Sequence, residues 1–90
     1  MREAVATYCQ RLVQATRADE TFALGASPRA ALLWLRAARA RAFLYGRDYV
    51  VPDDLQTLML PALGHRTVLA GGGDSREVLQ RILAQTPVEL

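Results

Sequence analysis

Of the residues in this chain that could do chemistry, Arg29 stands in the most suggestive place. It lies in Gly25-Ala26-Ser27-Pro28-Arg29-Ala30, a glycine and a short turn followed by a helix start. Ser27 suits the N-cap, where its hydroxyl can accept from a first-turn amide. Pro28 suits the first helical position, where a fixed φ helps and a missing N–H costs nothing. An arginine in that first turn meets the positive end of the helix dipole, a mild penalty of roughly 0.3–1 kcal/mol. A helix start with free amides and an arginine is therefore a place that would welcome an anion, although on these residues alone a surface arginine paired with a nearby acid is the simpler reading.

The other chemically able residues carry weaker cases. Cys9 is the single cysteine; it has no disulfide partner within the chain and falls in an apolar helical pattern, so it reads as a small core residue. His65 has no cluster of ligands around it in the sequence and reads as structural. Asp53 and Asp54 look like paired carboxylates, yet their place at a helix start explains them as capping residues. Arg36 and Arg39 could be further phosphate or subunit contacts, with packing stems and surface pairs the simpler reading. Trp34, Tyr45 and Tyr49 read as core or subunit contacts. Gly71-Gly72-Gly73 reads as a spacer, because a phosphate loop needs a strand before it and a lysine or threonine behind it.

Four helices are expected to position these groups. The first spans about Glu3 to Arg17, with Val5, Tyr8, Cys9, Leu12, Val13 and Ala15 at helical spacing. Its start, almost at the first residue and uncapped, suggests a chain cut from a longer protein. Thr16 and Arg17 begin a polar end, and Thr21–Leu24 is a short extended link with Phe22 and Leu24 anchoring it. The second helix runs from Pro28 to about Tyr45. Its Leu32, Leu33, Trp34, Leu35, Phe43, Leu44 and Tyr45 fall on several sides, which predicts a central helix with neighbours all round. Arg29 and Arg36 lie near one line along it, and Arg41 points away. Gly46 is its C′ residue. The third helix opens at Pro52 and shows Leu55, Leu58, Met59, Ala62 and Leu63 on one face, with Pro61 bending or ending it. Thr67–Ala70 is extended or coiled. Asp74 and Glu77 fit a capping box for the last helix, which ends at Thr86-Pro87-Val88.

Composition bounds the rest. Ninety residues make one small domain, and 51% hydrophobic with 22% charged residues is globular. All eleven basic residues are arginine, and the net charge is +2. That charge is too small and scattered to indicate nucleic acid. There is no secretory h-region and no apolar run of ~18 residues, so a cytoplasmic setting without membrane contact is the expectation.

Thr16-Arg17, Leu24-Gly25-Ala26-Ser27-Pro28-Arg29-Ala30, Gly46-Arg47-Asp48-Tyr49-Val50, Pro52-Asp53-Asp54-Leu55 and His65-Arg66 occur in the order seen in the C-terminal lid of MoxR-type AAA+ ATPases. The chain resembles that lid over nearly its whole length, and the lid of the magnesium chelatase ATPase subunit is similar. The resemblance implies an all-α fold, a small four-helix bundle of the AAA+ lid type with short extended links, over residues 1–90 as a fragment of a longer ATPase. It implies that Arg29 is the sensor 2 residue, which reaches the nucleotide held by the ATPase core and so serves both binding and catalysis. It also implies ATP and Mg2+ in the full-length parent, with neither held by this fragment alone. The implied partners are the core of the same chain, neighbouring subunits of a ring and von Willebrand A-type proteins, in chaperone-like assembly or metal-insertion work. Val51 departs from the threonine often found before this proline, which removes the usual N-cap. The chain has no Gly-x-x-x-x-Gly-Lys-Ser/Thr loop and no acidic strand end for magnesium, so by itself it is expected not to hydrolyse ATP. A helical protein-interaction module and a small basic nucleic-acid binder are the alternatives.

Overall fold

The computed structural model describes residues 3–88. Four helices and two short strands follow one another as α1 (Glu3–Ala18), β1 (Phe22–Leu24), α2 (Pro28–Leu44), α3 (Pro52–Leu63), β2 (Val68–Leu69) and α4 (Arg76–Gln85). The all-α expectation holds. The two extended links pair with each other as a small antiparallel sheet, irregular in register between Phe22 and Leu24. The uncapped start read from the sequence falls on Met1 and Arg2, outside the described residues.

The core is one cluster. α1 contributes Val5, Tyr8, Cys9, Leu12 and Val13, α3 contributes Leu55, Met59 and Leu63, and α4 contributes Leu79 and Ile82. These are the residues that helical spacing assigns to the inner faces. α2 and α3 make the most extensive contact in the fold. Between them Trp34 is fully buried, and its Nε1 donates to the Leu55 carbonyl at 3.0 Å. The Tyr8 ring is also buried, and its hydroxyl accepts from Gln56 Nε2 at 3.0 Å. Both rings thus satisfy their polar atoms while filling the core.

α2 differs from the all-round apolar helix expected. Its buried residues are Ala30, Trp34, Ala38 and Ala42, a single stripe at four-residue spacing. Small alanines let neighbouring backbones approach, and Trp34 fills the remaining space. Leu32, Phe43, Leu44 and Tyr45 lie on the surface, with Phe43 and Leu44 about four-fifths exposed (78% and 83%). Four other local expectations also change. Leu24 is exposed, so Phe22 alone anchors β1. Thr16 lies inside α1 and is fully buried. Arg41 does not point free: it joins Asp53 and Asp54. Ser75, not Asp74, occupies the N-cap of α4. Asp74 still accepts from the Arg76 amide at 2.9 Å, and the Ser75 hydroxyl turns inward to the Gly64 carbonyl at 3.0 Å. The expected Asp74–Glu77 capping box therefore does not form.

Candidate functional site

The start of α2 is built as its residue types require. Ser27 is extended (φ −73°, ψ 163°), and its hydroxyl accepts from the Ala30 amide at 3.1 Å. The Ala31 amide reaches the Ser27 carbonyl at 2.9 Å. Pro28 has no N–H. Of the first-turn donors, the Arg29 amide alone is left without an acceptor among the described residues. The Arg29 side chain is exposed, with no hydrogen bond or ion pair to the described residues.

The turn before Ser27 is clamped to the end of α1. The buried Thr16 Oγ1 donates to the Val13 carbonyl at 2.7 Å and accepts from the Ala26 amide at 3.0 Å. Arg17 Nε donates to the Ala26 carbonyl at 2.8 Å. Both polar groups of one peptide residue are therefore held by adjacent side chains of another element. Gly25 closes the clamp: a Cβ there would lie 2.6 Å from the Thr16 carbonyl oxygen, so only glycine lets the two backbones approach this closely. Thr16-Arg17 and Gly25-Ala26 thus form one local structure. The sequence alone marks them as a shared pattern without showing that they touch.

Ser27, Arg29, Ala30 and Leu33 line a surface cleft of about 380 Å³, and Arg66 lines it from the end of α3. No carboxylate is in this lining. The donor set fits the oxygens of a phosphate. It does not fit Mg2+, which needs oxygen ligands, and no described cluster of His, Cys, Asp and Glu could hold a metal ion. Arg36 and Arg39 are exposed further along α2 and make no ion pair with the described residues. His65 is exposed beside Arg66 and outside the cleft lining.

At the far end of α2 a second polar structure fixes the link to α3. Gly46 takes φ +78°, and the Arg47 and Gly46 amides return to the Ala42 and Phe43 carbonyls at 2.9 and 3.0 Å. This is a Schellman stop, which requires the left-handed glycine. Asp54, fully buried, accepts from Arg41 Nη1 at 2.6 Å, from Arg47 Nη1 and Nη2 at 2.7 and 2.9 Å, and from the Val51 amide at 2.8 Å. The Arg41 pKa is raised chiefly by its hydrogen bond to Asp54. Asp53, by contrast, is exposed and only touches Arg41 at 3.2 Å. Capping therefore does not fully explain the acid pair, since Asp54 is a buried ionic hub. Val51 offers no side-chain cap to α3, as expected, and the Asp54 carboxylate supplies the reciprocal half of the box. Cys9 is buried, and desolvation pushes its thiol up to about 11, which confirms an inert core residue.

No helix among the described residues is long and apolar enough to cross a membrane. Residues 14–85 match the AAA lid domain family. The chain is 37% identical over 92 aligned residues to "Chaperone MoxR1" of Mycobacterium tuberculosis, covering 92% of this chain and 24% of that protein. It is 42% identical over 67 residues to the protein YeaC of Bacillus subtilis, covering 74% of this chain and 21% of that one. A crystal structure of a proposed ATPase from Cytophaga hutchinsonii superposes with a TM-score of 0.85 at 32% identity, over 99% of this chain and 31% of that one. The chain thus spans about a fifth to a quarter of the curated relatives' length. The four-helix architecture, the clamped Gly25–Arg29 turn and these matches lead to one assignment: the chain belongs to the AAA lid domain family, as a lid of the MoxR type.

Proposed function

We propose that residues 1–90 are the C-terminal lid of a longer MoxR-type ATPase, and that Arg29 is its sensor 2 residue. The observation that carries this reading is a cation without a partner among the described residues, at the tip of a helix whose preceding turn is clamped on both sides. Arginine stays charged, and its planar fork matches phosphate oxygens. The core of the same chain would supply the phosphate loop and the Mg2+ ligands, which these ninety residues do not contain. When nucleotide is bound, the Arg29 guanidinium neutralises charge on the phosphates and steadies charge that develops during transfer.

Movement follows from the same geometry. Arg29 is fixed to α2, and α2 is fixed to α3 by Trp34 and Asp54. A phosphate that pulls Arg29 therefore moves the lid as a body. In a ring of subunits that movement couples nucleotide state to work on a client, of the chaperone-like assembly or metal-insertion kind, with von Willebrand A-type proteins as partners. A second reading, a protein-interaction module, is favoured by one observation: the exposed Phe43, Leu44 and Tyr45 at the end of α2.

The test is steady-state ATP hydrolysis by the full-length parent. Arg29→Ala is expected to lower kcat at least about tenfold, the scale of one charge-assisted hydrogen bond, with the melting of the lid unchanged. Arg29→Lys recovers part of the loss and Arg36→Ala changes little. Wild-type kcat and KM in Arg29→Ala would refute the sensor reading and bring the interaction module forward.

A further inference from the structure

The cleft beside Arg29 has a second cation, Arg66, in its lining. Arg66 comes from the turn after α3, far from Arg29 in sequence, yet both line the same cleft with Ser27, Ala30 and Leu33. Two arginines facing one space without a carboxylate repel each other unless something negative lies between them. The carboxylates that form ion pairs among the described residues are engaged elsewhere: Asp19 with Arg81, Asp53 and Asp54 with Arg41, Asp54 with Arg47, and Asp74 with Arg76.

Arg66 is also held in place. Its amide reaches the Leu63 carbonyl at 3.0 Å. The neighbouring Thr67 is buried, and its hydroxyl donates to the same carbonyl at 2.9 Å and lies 3.0 Å from Ser75 Oγ. Gly64, two residues before Arg66, sits where a Cβ would come within 2.6 Å of the Leu60 carbonyl oxygen. Only one bond ties the Arg66 guanidinium itself, from Nη1 to the Ala62 carbonyl at 2.9 Å. Its other N–H groups have no acceptor among the described residues. Both arginines are thus side chains with spare donors on backbone fixed by buried hydrogen bonds, an arrangement that lowers the cost of ordering them on a ligand.

We propose that Arg66 is a second phosphate-binding arginine, which shares with Arg29 the grip on the phosphates of a nucleoside triphosphate. This rests on the reading of Arg29 given above. Two arginines from different elements make the grip depend on how α2 sits against the end of α3, and a phosphate held by both ties those ends together.

The experiment measures equilibrium binding and hydrolysis of Mg-ATP by the full-length parent. Arg66→Gln removes the charge while an amide can still donate to the Ala62 carbonyl. It is expected to weaken ATP binding about tenfold, as loss of one charge-assisted contact does, with unchanged melting of the protein. Arg66→Lys is expected to recover part of that loss. Wild-type ATP affinity in Arg66→Gln, with Arg29→Ala defective, overturns the proposal and leaves the function of Arg29 standing. Wild-type behaviour of both variants overturns both. A defect in Arg66→Gln alone, or one that tracks a fall in melting temperature and is equally large in Arg66→Lys, also overturns it, because Arg66 would then act through the end of α3.

Discussion

Asp54→Asn is the sharpest test of how this lid is held together. The substitution keeps the size of the side chain and removes its charge. In the wild-type chain that carboxylate is fully buried and receives three guanidinium N–H groups and one backbone amide, all within 2.9 Å. The Arg41 and Arg47 side chains are themselves only 20% and 22% exposed. Water can therefore replace the lost anion only in part. Removing one member of a buried ion pair costs about 3–5 kcal/mol, and the partial exposure of both arginines argues for the lower end, about 3 kcal/mol. A domain of this size has roughly 5–13 kcal/mol in all. At about 4–8 °C per kcal/mol, the melting temperature should fall by more than about 10 °C. The assay is urea unfolding followed by Trp34 fluorescence, with thermal unfolding followed by circular dichroism. Arg47→Ala and the double variant complete a cycle, and the double variant should be clearly less damaged than the sum of the singles. A loss below about 1 kcal/mol in Asp54→Asn would refute the reasoning, since the link between α2 and α3 would then not depend on the buried charge.

Two further outcomes follow from the core. Trp34→Ala is expected to destabilise by about 3–5 kcal/mol, and Trp34→Phe by about 1–3 kcal/mol, because it leaves a smaller cavity and removes the indole donor to the Leu55 carbonyl; a denaturant midpoint that barely moves in Trp34→Ala would place the indole outside the core. Burial raises the Cys9 pKa from 9.0 to about 11, so the folded state holds its proton more tightly than the unfolded chain. Stability from this source is complete below pH 9 and falls as pH rises towards 11. Cys9→Ala, less stable at neutral pH, should lose less over that window in unfolding measured against pH, and an equal alkaline loss in both chains would assign the effect to other groups.

The sequence made the helices legible because their inner faces carry regular spacing, and it marked the start of α2 because Ser27 and Pro28 are strong local signals. It misjudged α2 itself. Apolar residues on every side read as burial on every side, whereas alanines and Trp34 form the stripe that packs inward. Phe43, Leu44 and Tyr45 remain outside, and composition cannot distinguish a core face from a surface face on such a helix. Asp54 was hidden by a plausible local role, since capping and ion pairing use the same carboxylate and only the fold brings Arg41 and Arg47 to it. Arg66 stayed silent for a similar reason: its place beside Arg29 exists only after α2 and α3 have packed. At the start of α4 the capping is divided between neighbours: the Asp74 carboxylate accepts from the Arg76 amide, while the Ser75 hydroxyl turns inward to the Gly64 carbonyl.

The seventeen residues of α2 extend over about 25 Å at 1.5 Å each. Arg29 stands at one end of that rod and the exposed Phe43, Leu44 and Tyr45 stand at the other. Linkage fixes a symmetry between the two ends. If Arg29 acts on nucleotide as proposed, and nucleotide favours one lid orientation, a partner that holds the exposed apolar end more tightly in one orientation alters nucleotide affinity by the same factor by which nucleotide alters the affinity for that partner. A partner that binds both orientations equally leaves nucleotide affinity untouched, however tightly it binds.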